Sequence, residues 1–355
     1  MKTCTFLFLT FLTAAAFGKP IHKDAKLFTA DNHKFQYVGR VDFTDKAKPK
    51  FWSAGVYITV KFKGTSCDLV INDEELDGQH NYIEIAIDDK APVRIQTTGK
   101  TNTINIAQGL TDGTHTVVIC KDTESGIGYL EFVGLKCDKL VSPPSKPKRK
   151  IEYIGDSITT GTGMDLTIPC SVKGPWYDQH NAYMSYGPRT SRALNTQWQI
   201  TAVAGIGLTH SCCKMDILMP QVLDKVYLRN NQILWDFKKY QPDVVTVCLG
   251  QNDGIVDSTK FCTAYVNFLT DIRSHYPKAD IICLTSPMGN DKLTNVLKKY
   301  LASVTNYFNT QGDKKVYWYA FAKHYNGGCG GHPDLEQHGD IANELTAYIK
   351  TVEGW

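Results

Sequence analysis

The sequence predicts two units of different class: an all-β domain, then an α/β domain built on a parallel sheet. Three observations lead there. Residues up to about 140 hold short β-type runs cut by turn residues. The stretch from Lys139 to Lys150 is dense in proline and charge. Beyond it, apolar strand patterns alternate with helical ones. Several short strands suggest an antiparallel sandwich, whereas a strand–helix–strand rhythm implies a parallel sheet covered on both faces.

The first element along the chain is a leader. Lys2 supplies a positive start, Phe6 to Phe17 is apolar apart from Thr10 and Thr13, and Ala16 and Gly18 are small residues ahead of Lys19. That is the pattern of a signal peptide over residues 1–18, so the mature protein is expected to be secreted and extracellular. The apolar run is short for a bilayer, and no second one follows, so no membrane partner is expected.

The β region, residues 19–138, contains Gly55 to Phe62, Asn81 to Ile87, His115 to Cys120 and Gly128 to Leu135 as strand candidates. Lys63-Gly64, Asp77-Gly78 and Asp112-Gly113 separate them as turns. A jelly roll is the expected form. Residues 139–150 read as a linker, and its basic residues Lys146, Lys148, Arg149 and Lys150 as a solvated face.

In the second domain, residues 151–355, strands are expected at Ile151–Ile154, Gln199–Ala204, Asp243–Leu249, Asp280–Thr285 and Lys315–Tyr319. Helices are expected at Ala182–Leu194, Thr259–Ser274, Asp291–Phe308 and Leu335–Val352. In such a domain the functional site lies beyond the carboxyl ends of the strands.

Composition narrows the classes. With 355 residues, 42% hydrophobic and 21% charged, the chain is globular rather than disordered. Its formal net charge is +3 with no long basic stripe, so nucleic acid is not an expected partner. Neither CxxC nor HExxH occurs, so no metal site is expected. Gly205-Ile206-Gly207 lacks the third glycine of a dinucleotide fingerprint. Cys67, Cys120 and Cys137 precede the boundary as an odd set, so at least one is free or bridges to the second domain. Cys248 and Cys283, inside apolar runs, read as buried thiols. No disulfide pairing follows from sequence.

Four short segments hold residue types suited to acyl-ester chemistry. Ile154-Gly155-Asp156-Ser157 presents a serine just after a strand, although an ordinary helix cap has the same composition. Gly205 closes the next strand, where a backbone N–H can approach a substrate oxygen; a plain loop glycine looks identical. Asn252, in Leu249-Gly250-Gln251-Asn252-Asp253, is placed as a donor to a developing oxyanion, and equally as a turn residue. His332, in Gly327-Gly328-Cys329-Gly330-Gly331-His332-Pro333, precedes the last helix and could take the Ser157 proton.

Each segment is weak alone, but their order is not. Ser, Gly, Asn and His follow one another, each at a strand end or just before a helix. The second domain resembles the SGNH hydrolase superfamily, the GDSL-type esterases, with a three-layer α/β/α fold. The β domain carries Phe51-Trp52-Ser53-Ala54-Gly55, Tyr57 to Thr65 and Lys121-Asp122-Thr123-Glu124, and the junction runs directly into Ile151-Glu152-Tyr153-Ile154-Gly155-Asp156-Ser157. The combination resembles carbohydrate esterase family 2, acetyl esterases with a jelly roll before the SGNH domain.

That resemblance implies Ser157 as nucleophile and His332 as base, with the Ser157 N–H, the Gly205 N–H and the Asn252 side chain as oxyanion hole. It implies an acetyl-enzyme intermediate, no cofactor, and an acetylated polysaccharide such as xylan or mannan as substrate. A monomer is expected. One position departs from the superfamily pattern: three residues before His332, where DxxH has an aspartate, stands Cys329. A Ser–His dyad is therefore expected, its Nδ1–H held by a backbone carbonyl of residues 328–330. The rival is Asp334 or Glu336 as a third member, although Asp334 reads better as a helix N-terminal residue. His338 is expected at the surface or in packing. Trp176 and Tyr177 could floor a sugar site or have a core or rim role. Other readings are an esterase or acetyl transferase for different acyl substrates, or a carbohydrate-binding protein with a silent hydrolase domain.

Overall fold

The computed structural model describes residues 25–171, 174–229 and 232–355. The expected leader, residues 1–18, lies outside them.

In the first domain, alternation of branched apolar and polar residues produces antiparallel strands. They are β1 (Lys26–Thr29), β2 (Gln36–Val38), β3 (Lys50–Phe51), β4 (Tyr57–Lys63), β5 (Cys67–Asp73), β6 (Tyr82–Ile87), β7 (Val93–Gln96), β8 (Thr101–Ala107), β9 (Thr114–Lys121), β10 (Leu130–Cys137) and β11 (Lys139–Val141). One sheet runs β1-β10-β5-β8 with β3 on β10, and the other runs β11-β4-β9-β6-β7 with β2 on β4. Ile58, Val60 and Phe62 of β4 point inward to meet Leu69, Ile71 and Phe132 from the facing sheet. The expected sandwich is present.

Sequence reading found β4, β6, β9 and β10 but passed over β5 and β8. Their outward positions are Asp68, Asn72, Thr101 and Thr103, which mask the apolar half of each strand. It also placed the linker too early. Lys139–Val141 pairs antiparallel with β4, and Leu140 is buried in the sandwich core, so the expected linker begins as a sheet edge. Lys150 already opens the next sheet.

The second domain carries β12 (Lys150–Gly155), β13 (Gln197–Ala202), β14 (Val244–Cys248), β15 (Asp280–Leu284) and β16 (Val316–Tyr319), all parallel, in the order β13-β12-β14-β15-β16. The helices are α1 (Ser157–Thr160), α2 (Tyr186–Ala193), α3 (Met219–Val222), α4 (Ser258–His275), α5 (Asp291–Thr310) and α6 (Leu335–Glu353). Because strand side chains alternate, β12 sends Ile154 to the face covered by α4 and α5, and Ile151 and Tyr153 to the face covered by α2 and α6. Both faces are buried, as expected of strands whose apolar runs do not alternate.

The two domains share a core. Val38, Ala54, Tyr57 and Cys120 of the sandwich join Ile151, Tyr153 and Trp198 in one apolar cluster. Tyr57 stacks on Trp198 with ring centroids 3.9 Å apart, and the Trp198 indole N–H donates to the Gly55 carbonyl at 2.9 Å. Arg40 crosses from the sandwich to Glu152 of β12 at 3.2 Å, both side chains fully buried.

In the parallel sheet, β12 lies between β13 and β14: the chain runs first to β13 on one side of it and then crosses back to β14 on the other. That reversal opens a crevice at the carboxyl ends of these three strands.

Candidate active site

Ser157 enters the crevice from β12. Gly155 ends the strand against α1 so closely that a Cβ there would lie 2.0 Å from Thr159 Oγ1. Asp156 caps α1, its carboxylate accepting from the Ile158 N–H at 3.0 Å. The helix-cap reading is therefore correct for Asp156, and it presents the next residue, Ser157, at the helix start. The first N–H groups of a helix have no intrahelical acceptor, so that of Ser157 is available as a donor.

His332 arrives from the glycine-rich loop before α6. Its Nε2 is 2.9 Å from Ser157 Oγ, and its Nδ1 is 3.0 Å from the Cys329 carbonyl. A carbonyl can only accept, so Nδ1 carries the hydrogen and Nε2 is the bare nitrogen facing the serine hydroxyl. That carbonyl is itself held in place. The Cys329 N–H donates to the Gly163 carbonyl at 2.8 Å, and a disulfide joins Cys329 to Cys170. Burial holds the His332 pKa below its ordinary value of 6.5, with the Cys329 hydrogen bond opposing the shift. The imidazole is therefore neutral at neutral pH.

Neither carboxylate considered as a third member touches the histidine. Asp334 caps α6, accepting from the Gln337 N–H at 2.9 Å in a capping box. Glu336 lies in the first turn of the same helix. His338 is fully buried and away from the serine; its Nδ1 accepts from the Tyr186 N–H at 3.1 Å, and burial lowers its pKa to about 3.

Gly205 and Asn252 close the crevice from β13 and β14. Gly205 adopts φ +87°, a conformation suited to glycine, and no described residue accepts a hydrogen bond from its backbone N–H. The Asn252 amide donates to the Ile206 carbonyl at 2.9 Å and to Asp156 at 3.2 Å. Both amide hydrogens are thus engaged, so reaching an oxyanion would require release of the longer bond. Burial pushes the Asp156 pKa up to about 7.

Ser157, Gly205, Asn252 and His332 line one cleft of about 600 Å³. Trp176 lines it too and is half exposed, its ring edge-on to His180 at 4.8 Å. Tyr177 does not. It is buried with Tyr82 and Ile127 where the domains meet, its hydroxyl accepting from the His80 N–H at 3.3 Å. The floor reading therefore fails for Tyr177, because one residue's shift along an irregular segment reverses the direction of the side chain.

Sequence reasoning missed two features of the cleft. Arg229 lines it and is held from the other domain by Glu124 at 3.0 Å; its loop carries no periodic signal. Cys212 and Cys213 form a disulfide with each other at the cleft wall. Their adjacency was visible in the sequence, but their position was not. Among the described residues no cluster of three metal-ligating side chains occurs, and no helix is long and apolar enough to cross a membrane.

A serine–imidazole pair facing backbone donors at a strand switch point defines a class, the GDSL-type hydrolases. Residues 153–341 match the GDSL-like Lipase/Acylhydrolase family, which covers more than half of the chain, and the protein belongs to it. Residues 37–144 match the Carbohydrate esterase 2 N-terminal family. A family two carbohydrate esterase from Clostridium thermocellum, solved with cellohexaose, is 34% identical with a TM-score of 0.83, over 90% of this chain and 99% of that one. Within the class, then, the chain is a member of carbohydrate esterase family 2. The cellulase/esterase CelE of Acetivibrio thermocellus is 34% identical over 94% of this chain, which spans only 41% of that protein's length. An acetylxylan esterase/glucomannan deacetylase of Cellvibrio japonicus is 25% identical over 97% of this chain and 96% of its own.

Proposed function

We propose that this protein is a secreted acetyl esterase that removes O-acetyl groups from xylan, mannan or related plant polysaccharides through a Ser157–His332 dyad. The observation that carries the proposal is the linear arrangement of Ser157 Oγ, His332 and the Cys329 carbonyl, at 2.9 and 3.0 Å, open to a cleft. The names of the relatives support acetylated polysaccharide as the substrate class. The apolar stretch after Lys2 and the Cys170–Cys329 disulfide support export, since disulfides persist in oxidising compartments.

In the first step Ser157 Oγ attacks the acetyl carbonyl carbon while its proton passes to His332 Nε2. The carbonyl oxygen becomes an oxyanion facing the N–H groups of Ser157 and Gly205, joined by Asn252 if its amide turns from Asp156. The imidazolium then protonates the sugar oxygen, the ester bond breaks, and the acetyl group stays on Ser157. Water attacks that ester with His332 again as base, and acetate leaves. The Cys329 carbonyl holds the tautomer and accepts from the imidazolium, the task a carboxylate performs in a triad.

Acetate release from acetylated xylan and glucomannan tests this. Wild type is expected to release acetate, and Ser157→Ala to lose more than about a thousandfold in turnover. A Ser157→Ala protein as active as wild type would refute the dyad.

A further inference from the structure

The loop that follows Gly205 contains a disulfide between neighbours, Cys212 and Cys213, a ring closed across a single peptide bond. Both residues line the cleft with Ser157 and His332. The Cys212 N–H donates to the Gly205 carbonyl at 2.8 Å. Its sulfur rests against the same glycine, since a Cβ built on Gly205 would lie 2.9 Å from Cys212 Sγ. The cysteine pair is therefore the direct support of the glycine whose N–H is assigned above to the oxyanion hole.

The rest of the loop has other anchors. Asp253 accepts from the N–H groups of Leu208, Thr209 and His210. Ser211 Oγ accepts from the Gly207 N–H and donates to the Ile217 carbonyl. Past Ser211 the chain turns through Cys213 and Lys214 at φ +61° and +60°. Non-glycine residues remain in that left-handed region only where the surroundings hold them. At this turn the covalent restraint is the disulfide.

We propose that the Cys212–Cys213 disulfide is a positioning element of the oxyanion loop, and that its two-electron reduction slows acyl transfer. This rests on the esterase function proposed above. Reduction by a dithiol breaks the Sγ–Sγ bond, gives each sulfur one electron and one proton, and leaves the reagent as its own cyclic disulfide. The turn at 213 and 214 then relaxes, and the Gly205 N–H is no longer held toward Ser157. The loss falls on the transition state, where the oxyanion exists, so kcat drops while KM for a small ester hardly moves.

The test uses the full mature chain and 4-nitrophenyl acetate. Iodoacetamide labelling of the unreduced protein, followed by peptide mapping, is expected to leave residues 212 and 213 unlabelled; label on both overturns the proposal. Dithiothreitol is expected to lower kcat by about tenfold or more, within the range for a weakened oxyanion donor, with KM changed less than about twofold, and oxidised glutathione to restore it. Cys170→Ser/Cys329→Ser removes the other disulfide and should keep the dithiothreitol response. Cys212→Ser/Cys213→Ser should start with the lowered kcat and show no response. A response that disappears with Cys170→Ser/Cys329→Ser, or a wild-type kcat in Cys212→Ser/Cys213→Ser, overturns the proposal. Should the latter variant fail to fold, the response of Cys170→Ser/Cys329→Ser decides. Untreated wild type with no activity on any acetyl ester would defeat the esterase function and this proposal together. Normal activity that is insensitive to reduction defeats this proposal alone.

Discussion

In the proposed dyad His332 has no carboxylate partner, and the Cys329 carbonyl stands where it would supply the two properties a base needs: a defined tautomer and an acceptor for the imidazolium. The carbonyl dipole is weaker than a charge, so it raises the imidazole pKa less than an aspartate would. Burial is the larger influence and acts downward. The base must be neutral to accept a proton, and it is neutral above its pKa, so a depressed value extends function toward mild acid. Following the His332 ring resonance by NMR, assigned with His332→Gln, should give a midpoint below 6.5. A midpoint above that value would mean a charged partner that the geometry lacks. Asp334→Ala separates the dyad from the triad. It removes the cap of α6, so stability should fall by about 0.5–2 kcal/mol in urea unfolding, while kcat changes less than about threefold. A loss near ~10,000-fold, the scale for removal of a triad acid, would show that Asp334 acts on the histidine in solution.

Among the elements, the loops matter more than the strands. Strands β12, β13 and β14 fix where Ser157, Gly205 and Asn252 leave the sheet, whereas the His332 loop is set by a cross-link 159 residues apart in sequence, Cys170 to Cys329. Glycines surround Cys329, so without the bridge the loop keeps only backbone hydrogen bonds: the Cys329 N–H to the Gly163 carbonyl, the His332 N–H to the Cys329 carbonyl and the Gly328 N–H to the His332 carbonyl. Cys170→Ser/Cys329→Ser is expected to lower thermal stability, since bridging so long a loop is worth on the order of 2–4 kcal/mol. It should also raise the disorder of the His332 ring, readable as broadened NMR resonances. An unchanged melting temperature would show that the loop is held by its hydrogen bonds alone. The strands and long helices were legible because buried parallel strands and amphipathic helices write their period into the sequence. Strands β5 and β8 were not, because half of each faces water, and β11 was not, because a three-residue edge strand exists only through its partner.

Over the whole molecule the two domains share one core and are expected to unfold together. The core cluster that contains Trp198 and Tyr153 takes Val38, Tyr57 and Cys120 from the sandwich, and Arg40 meets Glu152 with no access to solvent. Glu152 also accepts from Gln199 at 3.0 Å and Thr201 at 2.6 Å, and Arg40 donates to the carbonyls of Leu223 and Lys225, so the pair sits inside a hydrogen-bond network that leaves Arg40 Nε and Glu152 Oε2 unpaired among the described residues. Removing one partner leaves a buried charge unpaired, and Arg40→Ala should cost about 3–5 kcal/mol in a single cooperative transition. Two separate unfolding transitions in wild type would refute the shared core. The sandwich also reaches the cleft, through Glu124 and Arg229, so the first domain shapes the site as well as supporting it.

The linear order of residues determined the two fold classes and the order Ser157, Gly205, Asn252 and His332 of the candidate groups that line the cleft, because periodicity and motif order are local properties of the chain. Three-dimensional packing decided the Cys329 carbonyl as the partner of His332, both disulfides, the inward turn of Tyr177 and the fusion of the two domains. The Cys170–Cys329 bridge and the domain contacts join groups more than a hundred residues apart, while the Cys329–His332 contact, the Cys212–Cys213 bridge and Tyr177 depend on the local direction of a carbonyl or side chain, and neither kind of feature leaves a period in the sequence.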